Sequence, residues 1–300
     1  MQAFLPFWVA ILVTAAVAQV PQAKLPQISA DDLVRETVAQ EIAAANDTSI
    51  KHMFRSRKLT PRGSQTRLYV ETNDAIAGML VALNDQPLSA EQRQAEEGHL
   101  GWLMSNPDQL RKKHAREKED AARSLQIVKA LPDAFRYQYD GVEMGDAERG
   151  RPGEELLRLK FTPNPSYSPP SRVEQVLAGM QGVLLIDPTA HRLALIDGTL
   201  FRDVSFGWGL IGHLDKGGHF RVQQADLGDG SWGMTGMGLK ITGKILFFKG
   251  ISLVSDETLS DFHRVPDNLP FAKGVAMLRD EQQKSAHLRE PGPLPAPKVP

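Results

Sequence analysis

The chain contains no cysteine in 300 residues. This excludes disulfides, thiolate nucleophiles, Cys-ligated zinc, iron–sulfur clusters and the acylated cysteine of a bacterial lipoprotein. A charge bias is missing too. Lys and Arg number 35 against 36 Asp and Glu, so there is no cationic excess of the kind that drives nucleic-acid binding. Strand and helix patterns nowhere alternate as βαβ units, which excludes a doubly wound nucleotide-binding fold. The motifs His-Glu-x-x-His, Gly-x-Ser-x-Gly and Ser-x-x-Lys are absent, removing three common hydrolase arrangements. A dispersed Ser–His–Asp or paired-carboxylate site stays open, because such residues need not be close in sequence. Past the N-terminus no apolar run approaches the roughly 20 residues of a membrane span.

What is present begins with an apolar segment, Phe4 to Val17, interrupted by Pro6 and Thr14. Ala16-Val17-Ala18 ahead of Gln19 has the small-x-small form of a signal-peptidase site, although no Lys or Arg precedes the run and the first charge is Lys24. Cleavage after Ala18 is expected, giving a periplasmic or secreted chain with no transmembrane segment. The composition, 41% apolar and 24% charged, is that of an ordinary globular protein. One domain is expected over residues 19–283. A tail from 284 to 300, with five prolines after residue 290, is expected to be polyproline-like.

Local signals predict the elements. Ser29 with Asp32 and the i, i+4 spacing of Val34, Val38 and Ile42 predict a helix to about Asn46. His52 to Leu83 predicts two or three strands. Ser89 with Gln92 starts a second helix, and Asn106-Pro107 stops it and starts a third, making a helical hairpin over about 89–131. Its stretch Arg111 to Arg123 is nearly all charged, with opposite charges at i, i+4. That is either a solvated face or a docking surface for an envelope partner. From Phe135 onward, alternating Phe135, Tyr137, Tyr139 and Leu157, Leu159, Phe161 predict sheet. Pro163 to Pro170 must be a crossover, because prolines cannot donate to a ladder. Turn signals at Asp187-Pro188, Asp197-Gly198, Asp215 to Gly218 and Asp226 to Gly230 predict an antiparallel meander. A last helix is predicted over Pro270 to Gln283.

Several constellations invite chemistry. Gly238 to Lys244 matches the first seven positions of a phosphate-binding loop, but Ile245 replaces the needed hydroxyl and a strand follows instead of a helix. His213, Asp215 and His219 around one turn are a weak metal set. Glu96 and His99 have metal-site spacing, yet the motif occurs once where such bundles use it twice. No catalytic residue and no cofactor is assigned. More unusual are large rings beside glycines from Phe206 to Phe248: Phe206, Trp208, Phe220, Trp232 and Phe247. Glycines in strands permit bending and close approach, so these rings on a curved sheet form either an apolar trough or ordinary core.

The segment Met180-Gln181-Gly182-Val183-Leu184-Leu185-Ile186-Asp187-Pro188, followed by Arg192-Leu193-Ala194-Leu195-Ile196, resembles a hairpin common in the outer-membrane lipoprotein carrier superfamily. That group holds the lipoprotein-sorting carriers and a periplasmic regulator that binds an anti-sigma factor. The segments Phe161 to Pro170, Phe206-Gly207-Trp208-Gly209 and Lys216-Gly217-Gly218-His219-Phe220 are similar to uncharacterised exported proteins of acidobacteria, over about Ala134 to Leu278. The superfamily resemblance implies an unclosed half-barrel with a hydrophobic trough for acyl chains. The long inserted hairpin departs from the carriers, and no Arg matches their hinge-locking one.

The expected fold is therefore α+β: a curved antiparallel sheet of roughly 9–11 strands with an N-terminal helix and an inserted helical hairpin. The expected function is non-catalytic binding of a lipid or acylated ligand. The alternatives are a protein-interaction or stress-sensor module using the charged hairpin, and a hydrolase with dispersed residues.

Overall fold

A computed structural model describes residues 27–206, 212–245 and 249–287. The expected cleavage site at Ala18 and Gln19, the rings of Trp208 and Phe247, and residues 288–300 of the proline-rich tail lie outside these residues, while 284–287, expected to begin that tail, belong to the last helix. No helix among the described residues is long and apolar enough to cross a membrane.

Helix α1 (Ala30–Asn46) begins where the Ser29 hydroxyl accepts the Asp32 N–H, and it buries Leu33, Val34 and Val38 along one stripe. Strands β1 (Lys51–Thr60), β2 (Gly63–Val70), β3 (Ala77–Leu83) and the two-residue β4 (Gln86–Pro87) follow. Helix α2 (Ala90–Ser105) starts with a full capping box between Ser89 and Gln92, and α3 (Pro107–Ala134) starts at its proline. Strands β5 (Phe135–Met144) and β6 (Glu155–Pro163) lead through the proline crossover to α4 (Arg172–Gln175) and a 3-10 turn. The meander is β7 (Met180–Asp187), β8 (Arg192–Leu200), β9 (Val204–Phe206), β10 (Gly212–Leu214), β11 (His219–Asp226), β12 (Trp232–Ile245) and β13 (Lys249–Val265). Helix α5 (Phe271–His287) ends the described chain.

All the strands belong to one antiparallel, unclosed sheet with the order β4-β3-β2-β1-β13-β12-β11-β8-β7-β6-β5, and β9 and β10 join it through β12. It has thirteen strands among the described residues, more than the sequence suggested. The surplus lies in β4, β9 and β10, which are two or three residues long and too short to show a period of two.

Two main cores form on opposite faces. Following the register, Leu159, Leu184, Ile196, Val222, Met237 and Glu257 share one face, here called the inner face. There α1 and the C-terminal end of α3 bury Leu159, Phe161, Leu184 and Ile186. Leu68, Val70 and Met79 point to the other face, in register with Arg55 and not with Lys58. They form a second core with Leu100 and Leu103 of α2 and Val275 and Leu278 of α5.

Helix α3 joins the two cores. Its 28 residues span about 42 Å. Near its start Leu110 packs on the second core, and the Glu117 carboxylate accepts the Ile76 N–H at 3.1 Å. Near its end Leu131 and Ala134 are buried in the first core, and Gln126 donates to Ser171 and Glu174. Residues 118–124 between these anchors are exposed. Of the expected i, i+4 pairs, Lys113–Glu117 forms, while Arg123 pairs with Asp120 at i, i+3.

The β7–β8 hairpin is held by two ion pairs. Asp187 is fully buried and accepts both arms of Arg151, at 2.7 and 2.9 Å, together with the Thr189 and Ala190 amides of its own turn. Arg192 grips Glu41 of α1 at 2.9 and 3.2 Å, and Glu41 also accepts the Leu193 N–H, which ties α1 to the sheet. Burial pushes the Asp187 carboxyl up, but Arg151 and the two amides outweigh it and hold the group below the usual carboxylate range.

A depressed carboxylate stabilises the fold above its ordinary pKa, and the contribution disappears as pH falls through the lower folded value. Asp187→Asn should therefore cost about 2–3 kcal/mol near neutral pH. Its gap to the native protein should narrow below about pH 4, as urea melts at the two pH values would show. Gly182 faces a stricter limit: a Cβ there would lie 1.9 Å from the Asp197 carbonyl oxygen on β8. Gly182→Ala should prise β7 from β8 and lower stability by about 2 kcal/mol or more, measured by the same melts.

Candidate functional site: an apolar trough on the inner face

One cross-strand row builds the floor. Phe161 lies opposite Gly182, Gly182 opposite Gly198, Gly198 opposite Phe220, and Phe220 opposite Leu239. Two rings are thus separated by two residues without side chains. A Cβ on Gly198 would lie 2.5 Å from the Met180 methyl and 3.4 Å from the Phe161 ring, so the glycine is what lets both lie across the sheet. Above this row is a cavity of about 320 Å³. Ile196, Leu200, Leu214 and Ile241 extend its floor, and Ile127 of α3 with Val173, Val176 and Leu177 forms its wall. Every lining residue is apolar except His219.

A second cavity of about 290 Å³ shares Val173 and Leu214 with the first and continues it past Phe206 to Ile251. Arg172, His213 and Lys244 adjoin it, but the register of β10 and β12 turns the last two side chains to the opposite face, and the cavity surface is almost wholly apolar. The apolar face runs on beyond it: Leu253, opposite Ile241 on β13, is 53% exposed.

Of the rings singled out in the sequence, Phe206 and Phe220 line this trough and pack against the first core. Trp232 does not. It packs on the opposite face against Leu156, Leu185 and Leu195, beneath the Arg192 guanidinium 5.4 Å from its centroid. The lining residues that sequence reasoning passed over are Phe161, Ile196, Leu200, Leu214 and Ile241. Their strands were legible as apolar runs, but which face each side chain takes depends on pairing.

The other constellations resolve separately. His213 lies 3.2 Å from Asp215, and His219 lies 2.8 Å from Asp197 on β8, so the two imidazoles take different carboxylates. Among the described residues no group of three or more His, Asp or Glu side chains is placed to hold a metal. Glu96 accepts the Leu80 N–H at 2.8 Å, and His99 stacks on Trp102, so this pair fastens and decorates α2. Gly238 to Lys244 lies inside β12, an extended strand whose amides cannot converge on a phosphate.

A dispersed cluster that no motif announced sits at the β11–β12 turn. His52 of β1 places Nε2 2.8 Å from Asp229 and 3.3 Å from the Ser231 hydroxyl, which itself donates to Asp229 at 2.6 Å. Glu71 accepts the His52 backbone N–H at 2.8 Å, and burial raises its carboxyl above the usual range. Burial also pushes Asp229 up, but the bonds from Ser231 and His52 prevail and leave it lowered.

Neither a family model nor a curated protein matches the chain. Solved structures similar to it include the following three. A domain described as an outer membrane lipoprotein-sorting protein from Vibrio parahaemolyticus is 13% identical over 81% of this chain and 97% of its own, with a TM-score of 0.27. A LolA superfamily protein from Nitrosomonas europaea is 13% identical over 80% and 96%, with a TM-score of 0.25. A DUF1329 family protein from Desulfovibrio piger is 10% identical over 77% and 91%, with a TM-score of 0.26.

Proposed function

We propose that the trough binds the acyl chain of a lipid or acylated ligand, and that the protein carries or senses that ligand outside the cytoplasm without catalysis. The observation that carries this reading is the cavity lining, apolar throughout but for His219 and open at one end into a second apolar cavity. Such a site suits a methylene chain and offers little to a polar substrate. Each buried methylene contributes about 0.8 kcal/mol, so ten give about 8 kcal/mol against association costs that start near 4 kcal/mol. The apolar N-terminal segment ending at Ala18 supports export.

Neutral monoacylglycerols of increasing chain length, titrated against a fluorescent acyl probe, test this. Affinity should rise about fourfold per added methylene until the trough is full. Leu214→Glu, which places a charge where the two cavities meet, should weaken binding about tenfold or more, while Trp232→Phe should leave it unchanged. An affinity indifferent to chain length would overturn the reading.

One observation favours a second role for the helical hairpin. Trp102 is 47% exposed and stacks on His99 beside a groove of about 410 Å³ lined by Lys112, Lys113 and Arg116 and by Glu117 and Asp120, with Lys113 paired to Glu117. An exposed ring rimmed by charges of both signs fits a protein surface with a complementary mixed pattern. Trp102→Ala combined with Lys112→Glu and Arg116→Glu should abolish a specific partner in pull-downs from envelope extracts while acyl binding persists. Identical capture by native and altered protein would end this second reading.

A further inference from the structure

We infer that the cavity at the end of the second core, on the face away from the trough, binds a small organic acid, with its apolar body on Leu68 and Ala82 and its carboxylate against Arg93 and Arg55. This site is separate from the acyl-chain trough and goes beyond the function proposed for it.

The cavity follows from where two helix stripes run out. Helix α5 buries Phe271, Val275 and Leu278, and the next position on that stripe is the polar Gln282. Helix α2, followed back from the buried Leu103 and Leu100, reaches Glu96 and then Arg93 at helical spacing. The sheet beneath stays apolar past that point. Leu68 lies opposite Arg55, and Ala82 lies opposite both Thr66 and Pro87, on the face that carries the second core. Polar helix positions over an apolar floor leave a space of about 360 Å³, with Val81 and Leu88 on its wall. Such a volume suits a small ligand.

Arg55 and Arg93 both line this space. Arg55 shares the face of Leu68, and its Nε donates to the exposed Asp261 at 2.9 Å, while its two terminal nitrogens make no hydrogen bond among the described residues. Arg93 donates from one terminal nitrogen to the Leu88 carbonyl at 3.0 Å, and among the described residues it has no carboxylate partner. Asp85 lines the cavity as well, but Arg57 clamps both its oxygens, each at 2.7 Å. Glu96 and Glu97, near Arg93 on α2, are engaged too: Glu96 by the Leu80 N–H and Arg67, Glu97 by Arg279. The site thus keeps one uncompensated guanidinium, on Arg93, and spare donors on a second, on Arg55. Guanidinium groups accept no hydrogen bonds, whereas a carboxylate accepts several and matches their fork, so the complementary head is anionic.

Three ligands that share one ring system and differ in the charge of the head test this by calorimetry: 2-naphthoate, 2-naphthylmethanol and 2-naphthylmethylammonium. The acid should bind about tenfold tighter than the alcohol, with the ammonium weakest, and the preference should shrink as ionic strength rises. Arg93→Gln, at an exposed position of α2, should remove most of the preference. Arg55→Gln with Arg93→Gln should remove all of it and leave binding of the alcohol unchanged. Leu214→Glu, which obstructs the trough on the other face, should leave acid binding as it is. Equal binding of acid and alcohol by the native protein, or a preference that survives in both Arg variants, overturns the inference. So does a failure of the acid to bind, or its loss in a Leu214→Glu protein with a native urea midpoint. In each of these outcomes the acyl-chain reading stands on its own test.

Discussion

A single unclosed sheet that carries apolar residues on opposite faces at its two ends must divide its helices between those faces. The division organises this molecule. Helix α1 and the end of α3 cover the inner face of β5–β8, and α2 with α5 covers the other face of β1–β3. The two cores would be coupled only through strands if α3 did not reach from one to the other. Its charged middle crosses between them in water, which explains how a helix so rich in Lys, Arg, Glu and Asp stays anchored: its apolar residues are concentrated at the ends, where each meets a different core.

The same division creates the trough. Strands β11–β13 lie between the territories of the helices, and their inner face carries Leu239 and Ile241 with Leu253 opposite the latter, with no helix laid along it among the described residues. Beside the last residues of β12 the ladder is taken up by β10, and there Ile241, Ile251 and Leu253 continue the floor outward. An apolar floor left partly open costs solubility and stability unless something fills it. The buried ion pairs fix the geometry around that floor: Arg192–Glu41 sets where α1 lies, and Arg151–Asp187 sets the turn that aligns Gly182 with Gly198.

How far the sequence foretells this follows from the range of each signal. Ser29, Ser89 with Gln92, and Asn106-Pro107 act within three residues, and the helices begin where these residues place them. The proline crossover and the meander turns are equally local. Faces are not. Phe220 and Trp232 sit on neighbouring strands with the same glycine-rich surroundings, yet they point to opposite sides, because the turn and a bulge between Gln223 and Gln224 set the register. The trough floor depends on Gly182 and Gly198 meeting across β7 and β8, a pairing visible only once strands are aligned. The ion pairs that hold α1 and the hairpin join residues 151 and 36 positions apart, where no spacing rule operates.

The His52, Asp229 and Ser231 cluster shows why proximity of catalytic residue types is not yet chemistry. A nucleophilic serine must pass its proton to an imidazole nitrogen whose lone pair faces it, with the carboxylate on the other nitrogen. Here one nitrogen of His52 faces both groups, and it is nearer to Asp229, at 2.8 Å, than to Ser231, at 3.3 Å. Ser231 meanwhile directs its own proton to the other oxygen of Asp229. Asp229 is thus the acceptor of both, and its lowered proton affinity follows from those two bonds prevailing over burial. The remaining carboxylate, Glu71, accepts the His52 backbone N–H at 2.8 Å and lies 3.8 Å from Nδ1, beyond hydrogen-bond distance. The arrangement fastens the β11–β12 turn to β1. Beyond the bulge between Gln223 and Gln224, which shifts the register once more, the same two strands bring Phe220 opposite Leu239 on the trough floor.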